Sequence, residues 1–77
     1  MKTTPYFEDA LKKHHLELRH VEAALDNEVH REREPNGRWH VWGFGPELAC
    51  FVRVIIFEDE ETLHNAFRDC IFKPPRL

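Results

Sequence analysis

The hydrophobic period of the chain changes at Asn27, and this change sets the order of the secondary structure. Before Asn27, apolar residues recur at steps of three and four, which is the spacing of one helix face. After it the period becomes two, the spacing of β-strands. With 77 residues, 42% of them apolar and 32% charged, the chain has room for one core. We predict a single domain over 1–77, with helices at about 5–26, a sheet at about 28–70 and an irregular tail at 71–77.

The helical segment is predicted to begin at Thr4 and Pro5, because threonine caps free backbone amides and proline fits the first helical turn. Its residues leave two alternatives open. Either one long helix covers about 5–26, or two helices are separated at 14–17. No glycine or proline marks a break there, which slightly favours the long helix.

Four strands are predicted after the helical segment. The stretch "EVHRERE" suits an edge strand, since its charges discourage pairing with another chain. Pro35-Asn36-Gly37 predicts a hairpin turn before the strand "RWHVWGF", and Gly43-x-Gly45 is assigned to the next turn. The apolar stretch "ACFVRVIIFE" predicts a central strand, and the acidic "EDEE" turn leads into the last strand, "TLHNAFRD".

Strand pairing predicts two different sheet faces. With Phe57 opposite Thr62 and Phe44 opposite Ala49, the valines of the central strand turn towards the helices. Asn65 falls on that side too, so we expect it to be a hydrogen-bonded structural residue. The opposite face mixes arginine, histidine and aromatic side chains. These are Arg38, His40, Trp42, Phe51, Arg53, His64 and Arg68.

This mixed face has three interpretations. Guanidinium groups fork onto phosphate, aromatic rings stack on bases and imidazoles move protons near neutral pH, so the face suits RNA or another phosphate ligand. Trp, Phe and Arg are also favoured at the centres of protein interfaces. A one-sided sheet must in any case present some residues to water. Composition alone places the partner interface first and the phosphate ligand second.

Composition narrows the chemistry further. A formal charge of −3 argues against a non-specific nucleic-acid coat protein, which needs many Lys and Arg. The sequence has neither a membrane-spanning apolar run nor the apolar stretch of a signal peptide, so we expect a cytoplasmic protein without a membrane partner. Cys50 and Cys70 are expected to be reduced, inert thiols. His14, His15 and His20 lack metal-ligand spacing and are assigned to the surface, so we predict no metal and no other cofactor.

The stretches "ALKKHHLELRHVEAALDNE", "EPNGR", "FVRVIIFEDEET" and "HNAFRDCIFKP" together resemble the RelE superfamily of small bacterial toxins, nearest its BrnT-like branch. The resemblance spans about residues 6–74. It implies an α+β fold in which two N-terminal helices, broken at 14–17, pack on one face of a four-stranded antiparallel sheet. It also implies a toxin-antitoxin module whose toxin cleaves RNA, without a metal, on the sheet face away from the helices.

Carried onto this chain, the resemblance implies Arg53, His64 and Arg68 as catalytic residues, with His40 in support. In such cleavage a base takes the proton of the 2′-hydroxyl, and cations hold the charge on the phosphate. The predicted residues that bind substrate or a partner are Arg38, His40, Trp42 and Phe51. The implied partners are RNA or the ribosome, and an antitoxin protein.

Two functions therefore remain open. The first is a toxin-type ribonuclease, or an inactive relative of one. The alternative is a non-enzymatic interaction module or homodimer that uses the same face, which requires Trp42 and Phe51 to be exposed in the monomer. Both functions require Arg53, His64 and Arg68 to lie on one face of the sheet.

Overall fold

The computed structural model describes residues 2–74, which form two helices and a mixed five-stranded sheet. The elements are β1 Lys2–Thr3, α1 Pro5–Lys13, α2 Leu18–Asp26, β2 Glu28–Arg33, β3 Trp39–Gly45, β4 Cys50–Ile56 and β5 Thr62–Arg68. The strand order is β1-β5-β4-β3-β2, with β1 parallel to β5 and the other pairings antiparallel. The α+β class is confirmed. The fully antiparallel four-stranded sheet is wrong in detail, because β1 has two residues, too few for a strand period to show in the sequence.

The turn between the helices confirms the two-helix alternative. His15 has φ 54°, a left-handed conformation that glycine usually supplies. The amide of Leu16 donates to the carbonyl of Leu11 at 2.8 Å, and the amide of His15 donates to the carbonyl of Lys12 at 3.3 Å. These two bonds form a Schellman motif. Helix α1 therefore ends at a non-glycine residue. The lack of a glycine there had favoured one long helix, and that inference is wrong.

His20 holds the start of α2. Its Nδ1 accepts the amide of Glu17 at 3.0 Å, and its Nε2 lies 2.9 Å from a carboxylate oxygen of Glu47. Glu17 in turn accepts the amide of His20, which completes a capping box. The imidazole is only 8% exposed. The assignment of His20 to the surface is therefore wrong, since it is a capping residue between α2 and the β3–β4 turn.

Both helices pack on the same face of the sheet. The buried cluster between the helices and the sheet consists of Phe7, Leu16, Val21, Ala24, Val41, Val52, Val54, Ile56, Leu63 and Ala66. At Gly43, α2 comes so close that an added Cβ would overlap the backbone carbonyl of Ala24. Gly43 and Gly45 both lie within β3, so the turn predicted there is wrong and the chain reverses only after Gly45. Gly43 serves the contact between helix and strand instead.

The pairing of β3 with β4 differs from the prediction by two residues. Phe44 lies opposite Phe51, not Ala49, and Val41 lies opposite Val54. Because the side-chain period of a strand is two, a shift by an even number changes the partners but keeps the faces. The predicted faces of β3 and β4 are therefore correct. The predicted edge strand also holds, since β2 lies at one end of the sheet.

A β-bulge at His64 changes the faces of β5. Leu63 pairs with Ile56 and Asn65 with Ile55, so His64 is one extra residue in the ladder. The prediction was an uninterrupted hairpin. Past the bulge, Asn65 turns away from the helices and Arg68, paired with Val52, turns towards them. The prediction that Asn65 lies on the core side of the sheet is wrong. The prediction that Arg68 lies on the face away from the helices is wrong too.

The C-terminal segment is joined to the sheet by a disulfide between Cys50 and Cys70. The expected reduced thiols are thus wrong, because two cysteines at a sequence separation of 20 give no sign that the chain returns to the start of β4. Residues 71–74 of the predicted irregular tail form neither helix nor strand, and 75–77 lie outside the described residues. Neither helix in the described part of the chain has the length and apolarity to span a membrane.

Candidate functional site

The sheet face away from the helices, termed the open face, carries a depression of about 340 Å³. This groove draws on the start of α1, the turn between β2 and β3, and the strands β3, β4 and β5. Its lining residues are Tyr6, Glu34, Arg38, His40, Arg53, Ile55, His64, Asn65 and Phe67. Four of the predicted site residues are thus brought together there. These are Arg38, His40, Arg53 and His64.

Arg53 projects from the central strand β4 into the groove. Its guanidinium carbon lies 4.8 Å from the ring centre of Trp42 and 5.5 Å from that of Phe67. Its Nε donates to Nδ1 of His40 at 2.9 Å. Within residues 2–74 Arg53 forms no ion pair, whereas Arg19 and Arg31 each bind carboxylates. The charge of Arg53 is held by aromatic rings and an imidazole, and its terminal nitrogens have no described protein acceptor.

Arg38 supplies a second guanidinium at the hairpin end of the groove. The turn that positions it is closed by the amide of Gly37, which donates to the carbonyl of Glu34 at 2.9 Å, and Gly37 has φ 91°. The guanidinium carbon of Arg38 lies 5.1 Å from the ring centre of Phe57. Like Arg53, Arg38 forms no ion pair with any described residue. The groove therefore holds two guanidinium groups that rest on aromatic rings.

His40 links Arg53 to Glu34. The Nε2 of His40 contacts the carboxylate of Glu34, while its Nδ1 accepts from Arg53. Because a guanidinium only donates, this bond requires a lone pair on Nδ1, which corresponds to the tautomer with its proton on Nε2. Burial acts to raise the pKa of Glu34, but the hydrogen bond from His40, with Asn36 and Arg38, holds that pKa below its usual value. Both nitrogens of His40 are therefore occupied, and Glu34 is ionised at neutral pH.

His64 occupies the bulge at the other side of the groove. Its ring is stacked between Tyr6 at 4.9 Å and Phe57 at 4.8 Å between ring centres, and its Nδ1 lies 3.3 Å from Oγ1 of Thr4. Burial lowers the pKa of His64, and the charge of Arg38 lowers it further. At pH 7 the imidazole is therefore neutral. Its Nε2 has no hydrogen-bond partner among the described residues.

Arg68 does not join this site. Its Nη2 donates to the carbonyl of His15, at 3.1 Å, on the helix side of the sheet. The predicted common face of Arg53, His64 and Arg68 is wrong, because the bulge at His64 reverses the direction of the side chains that follow. The condition that both predicted functions placed on these three residues is therefore not met, and the site as predicted with Arg68 is ruled out. A site on the open face is a different one, which contains Arg38, Arg53 and His64 without Arg68. Glu34 and Tyr6, which sequence reasoning missed, enter the groove from a turn and from a helix, where no strand period points to them.

The C-terminal segment covers the part of the open face around Trp42. Phe72 stacks on Trp42 with 4.8 Å between ring centres, and meets Phe51 edge-on at 5.5 Å. Nε1 of Trp42 donates to the carboxylate of Asp69 at 2.9 Å. Trp42 is only 5% exposed, so its predicted exposure in the monomer is wrong. The disulfide explains the difference, because it returns this segment to the sheet.

Within residues 2–74, no three His, Cys, Asp or Glu side chains come together in a way that could hold a metal ion. No family model matches the chain, and neither a curated protein nor a solved structure matches it. The geometry of the groove is therefore the basis for a functional proposal.

Proposed function

We propose that this chain is a RelE/BrnT-like, toxin-type ribonuclease, or an inactive relative of one, that binds single-stranded RNA in the groove of its open face. One observation carries the proposal. Arg38 and Arg53 lie in the same groove, each held on aromatic rings and neither bound to a described carboxylate. Arg33 and Arg68 also form no ion pair within residues 2–74, so the lack of a carboxylate does not by itself distinguish Arg38 and Arg53. What distinguishes them is that both line one groove, where two guanidinium groups favour a shared external anion such as a phosphate.

The aromatic residues of the groove favour a single strand. Tyr6 is 55% exposed beside His64, and Phe67 lines the groove beside Arg53. Bases stack on such rings only when they are unpaired, and a duplex hides the base faces. The net charge of −3 does not oppose this, because phosphate binding depends on the charge within the groove.

Cleavage would use the neutral imidazole of His64. The step requires the tautomer in which Nδ1, 3.3 Å from Oγ1 of Thr4, carries the ring proton. In that tautomer Nε2 takes the proton of the ribose 2′-hydroxyl. The 2′-oxygen then attacks phosphorus and the bond to the 5′-oxygen breaks, giving a 2′,3′-cyclic phosphate. The leaving 5′-oxygen takes a proton from water. Arg38 and Arg53 hold the charge that develops on the phosphate oxygens.

Binding of a labelled single-stranded RNA, followed by fluorescence anisotropy, tests the groove. We expect Arg38→Ala and Arg53→Ala each to weaken binding by about tenfold, the loss expected for a charge-assisted hydrogen bond. Arg68→Ala is the matched control, because it removes the same charge from the opposite face. It should change the affinity by less than about twofold. Equal losses in all three variants would mean that only net charge matters, and would overturn the groove as the site.

Cleavage is tested separately from binding. We expect the wild type to cleave RNA in the presence of EDTA, with 2′,3′-cyclic phosphate ends, and His64→Ala to bind RNA without cleaving it. Growth arrest on induced expression of the wild type, absent with His64→Ala at equal protein level, would support a toxin that requires an antitoxin partner. A wild type that binds RNA but neither cleaves it nor arrests growth would identify the inactive relative.

The non-enzymatic interaction module has less support from the structure than from composition. It requires Trp42 and Phe51 to be exposed, whereas Phe72 stacks on Trp42 and packs edge-on against Phe51. No second function is therefore proposed.

A further inference from the structure

Three polar side chains form a continuous chain along one side of the groove. Glu34, after the end of β2, contacts Nε2 of His40 in β3, and Nδ1 of His40 accepts from Nε of Arg53 in β4. Neither Glu34 nor His40 has a part in the cleavage chemistry above. Their bonds nevertheless end on the guanidinium that is to hold the phosphate.

We propose that Glu34 and His40 are positioning residues, which fix the direction in which Arg53 presents its terminal nitrogens to an RNA phosphate. The inference rests on the proposed function, since it deepens the role of the same groove. It assigns no proton transfer to His40, whose two ring nitrogens are already used.

The aromatic contacts of Arg53 leave its direction undetermined. Trp42 and Phe67 hold the guanidinium near their rings, but a cation–π attraction is satisfied by many rotations of the group about its own axis. A hydrogen bond to Nε has a preferred direction and so removes this freedom. With Nε turned to His40, the edge that carries both terminal nitrogens points away from His40. That edge stays free to fork onto a phosphate, since the bond to His40 engages Nε.

The bond to Arg53 depends on the tautomer of His40, and Glu34 sets that tautomer. If Nδ1 carried the proton, it would face the Nε–H of Arg53 with two donors and no acceptor. An ionised Glu34 requires a proton on Nε2 and so leaves Nδ1 free to accept. The charged groups around His40 are Glu32, Arg33, Glu34, Arg38 and Arg53. Glu32, the cross-strand partner of His40, instead contacts Nε2 of His30 at 3.5 Å, so Glu34 alone sets the tautomer.

The tautomer can be measured without any ligand. In ¹⁵N NMR spectra of the full chain at neutral pH, we expect the Nε2–H form of His40 in the wild type. In Glu34→Ala we expect a mixture of tautomers and faster hydrogen exchange at Nε of Arg53. A wild-type ring that carries its proton on Nδ1 would overturn the proposal. So would an Arg53 Nε–H that exchanges equally fast in wild type and Glu34→Ala.

Two substitutions of His40 separate positioning from packing. Asparagine places its carbonyl oxygen near the position of Nδ1, so His40→Asn keeps an acceptor for Arg53. Glutamine places its amide near Nε2, so His40→Gln keeps the contact with Glu34 and loses that acceptor. We expect His40→Asn to bind single-stranded RNA within about threefold of the wild type and His40→Gln about tenfold more weakly. Equal losses in the two variants would indicate packing alone and overturn the proposal.

The two proposals fail in different ways. A wild type that binds no RNA overturns the proposed function. In that case exchange at the Arg53 Nε–H still decides whether Glu34 and His40 fix the direction of Arg53, apart from any RNA. Slow exchange in wild type and His40→Asn with fast exchange in His40→Gln supports the role, and equal exchange in all three overturns it.

Discussion

At His64, one inserted residue converts a strand position into a partly enclosed imidazole. The bulge places the ring between Tyr6 and Phe57, where water that would solvate a charged ring is excluded. Arg38 adds an unfavourable charge. These effects keep the ring neutral near pH 7, the state in which an imidazole accepts a proton.

The pKa of His64 should therefore lie below its ordinary value of 6.5 in the free protein. As the pH falls, His64 is protonated in the unfolded chain at a higher pH than in the folded protein. Its contribution to the free energy of unfolding is therefore complete above about pH 6.5, and it is lost as the pH falls from there to the lower pKa of the folded state. NMR titration of the ring should show Tyr6→Ala raising the pKa more than Arg38→Ala, since burial is the larger cause. An unchanged pKa in Tyr6→Ala would contradict this account.

Gly43 is required by a close approach of backbone to backbone. An added Cβ would overlap the carbonyl of Ala24 and lie 2.9 Å from its Cα. We expect Gly43→Ala to lower the free energy of unfolding by about 3 kcal/mol, because α2 must move away from β3. Gly45→Ala is the control in the same strand, since its Cβ would approach no atom closer than 3.4 Å. Urea denaturation compares the two, and similar losses would argue against the close approach.

At the scale of elements, the turn after α1 stores backbone strain at one position. His15 adopts a left-handed conformation at φ 54°, and its side chain is exposed. A non-glycine residue in this conformation destabilises the folded state by about 1–2 kcal/mol. Glycine removes this strain, but part of the gain is offset because glycine also raises the conformational entropy of the unfolded chain.

His15→Gly should therefore raise the free energy of unfolding by about 0.5–1 kcal/mol. Lys13→Gly, two residues earlier and inside α1, should lower it by about 1 kcal/mol, because glycine there only weakens the helix. Urea denaturation of both variants checks the contrast. If His15→Gly does not raise the free energy of unfolding, His15 is not strained in solution.

The same elements explain what the sequence could predict. The faces of β3 and β4 follow from a period of two. They were predicted correctly although the predicted register was wrong by two residues, because an even shift leaves the faces unchanged. No sequence pattern indicates the bulge at His64. Because of it, Asn65 and Arg68 each lie on the face opposite to the predicted one. The groove was therefore predictable at His40 and Arg53. Glu34 and Tyr6 were not, because tertiary packing alone brings them there.

At the scale of the whole molecule, charge is distributed unevenly. Four of the fourteen acidic residues follow one another in the β4–β5 turn, at positions 58–61, and Arg31 of β2 contacts one of them, Glu60, together with Glu28. Arg38 and Arg53 are left unpaired by described residues in the groove. An acidic chain thus presents a local cationic site, which total composition does not reveal.

A chain of this length has a small core, so the disulfide should supply much of its stability. It closes a loop over a separation of 20 residues and holds Phe72 on Trp42. Loop-closure entropy assigns such a link about 3 kcal/mol, which corresponds to a fall in Tm of roughly 12–24 °C on its removal. Thermal denaturation with and without a reductant measures the fall. Cys70→Ser should reproduce the reduced Tm and no longer respond to the reductant, and a wild type whose Tm ignores the reductant would mean that the thiols are not joined in solution.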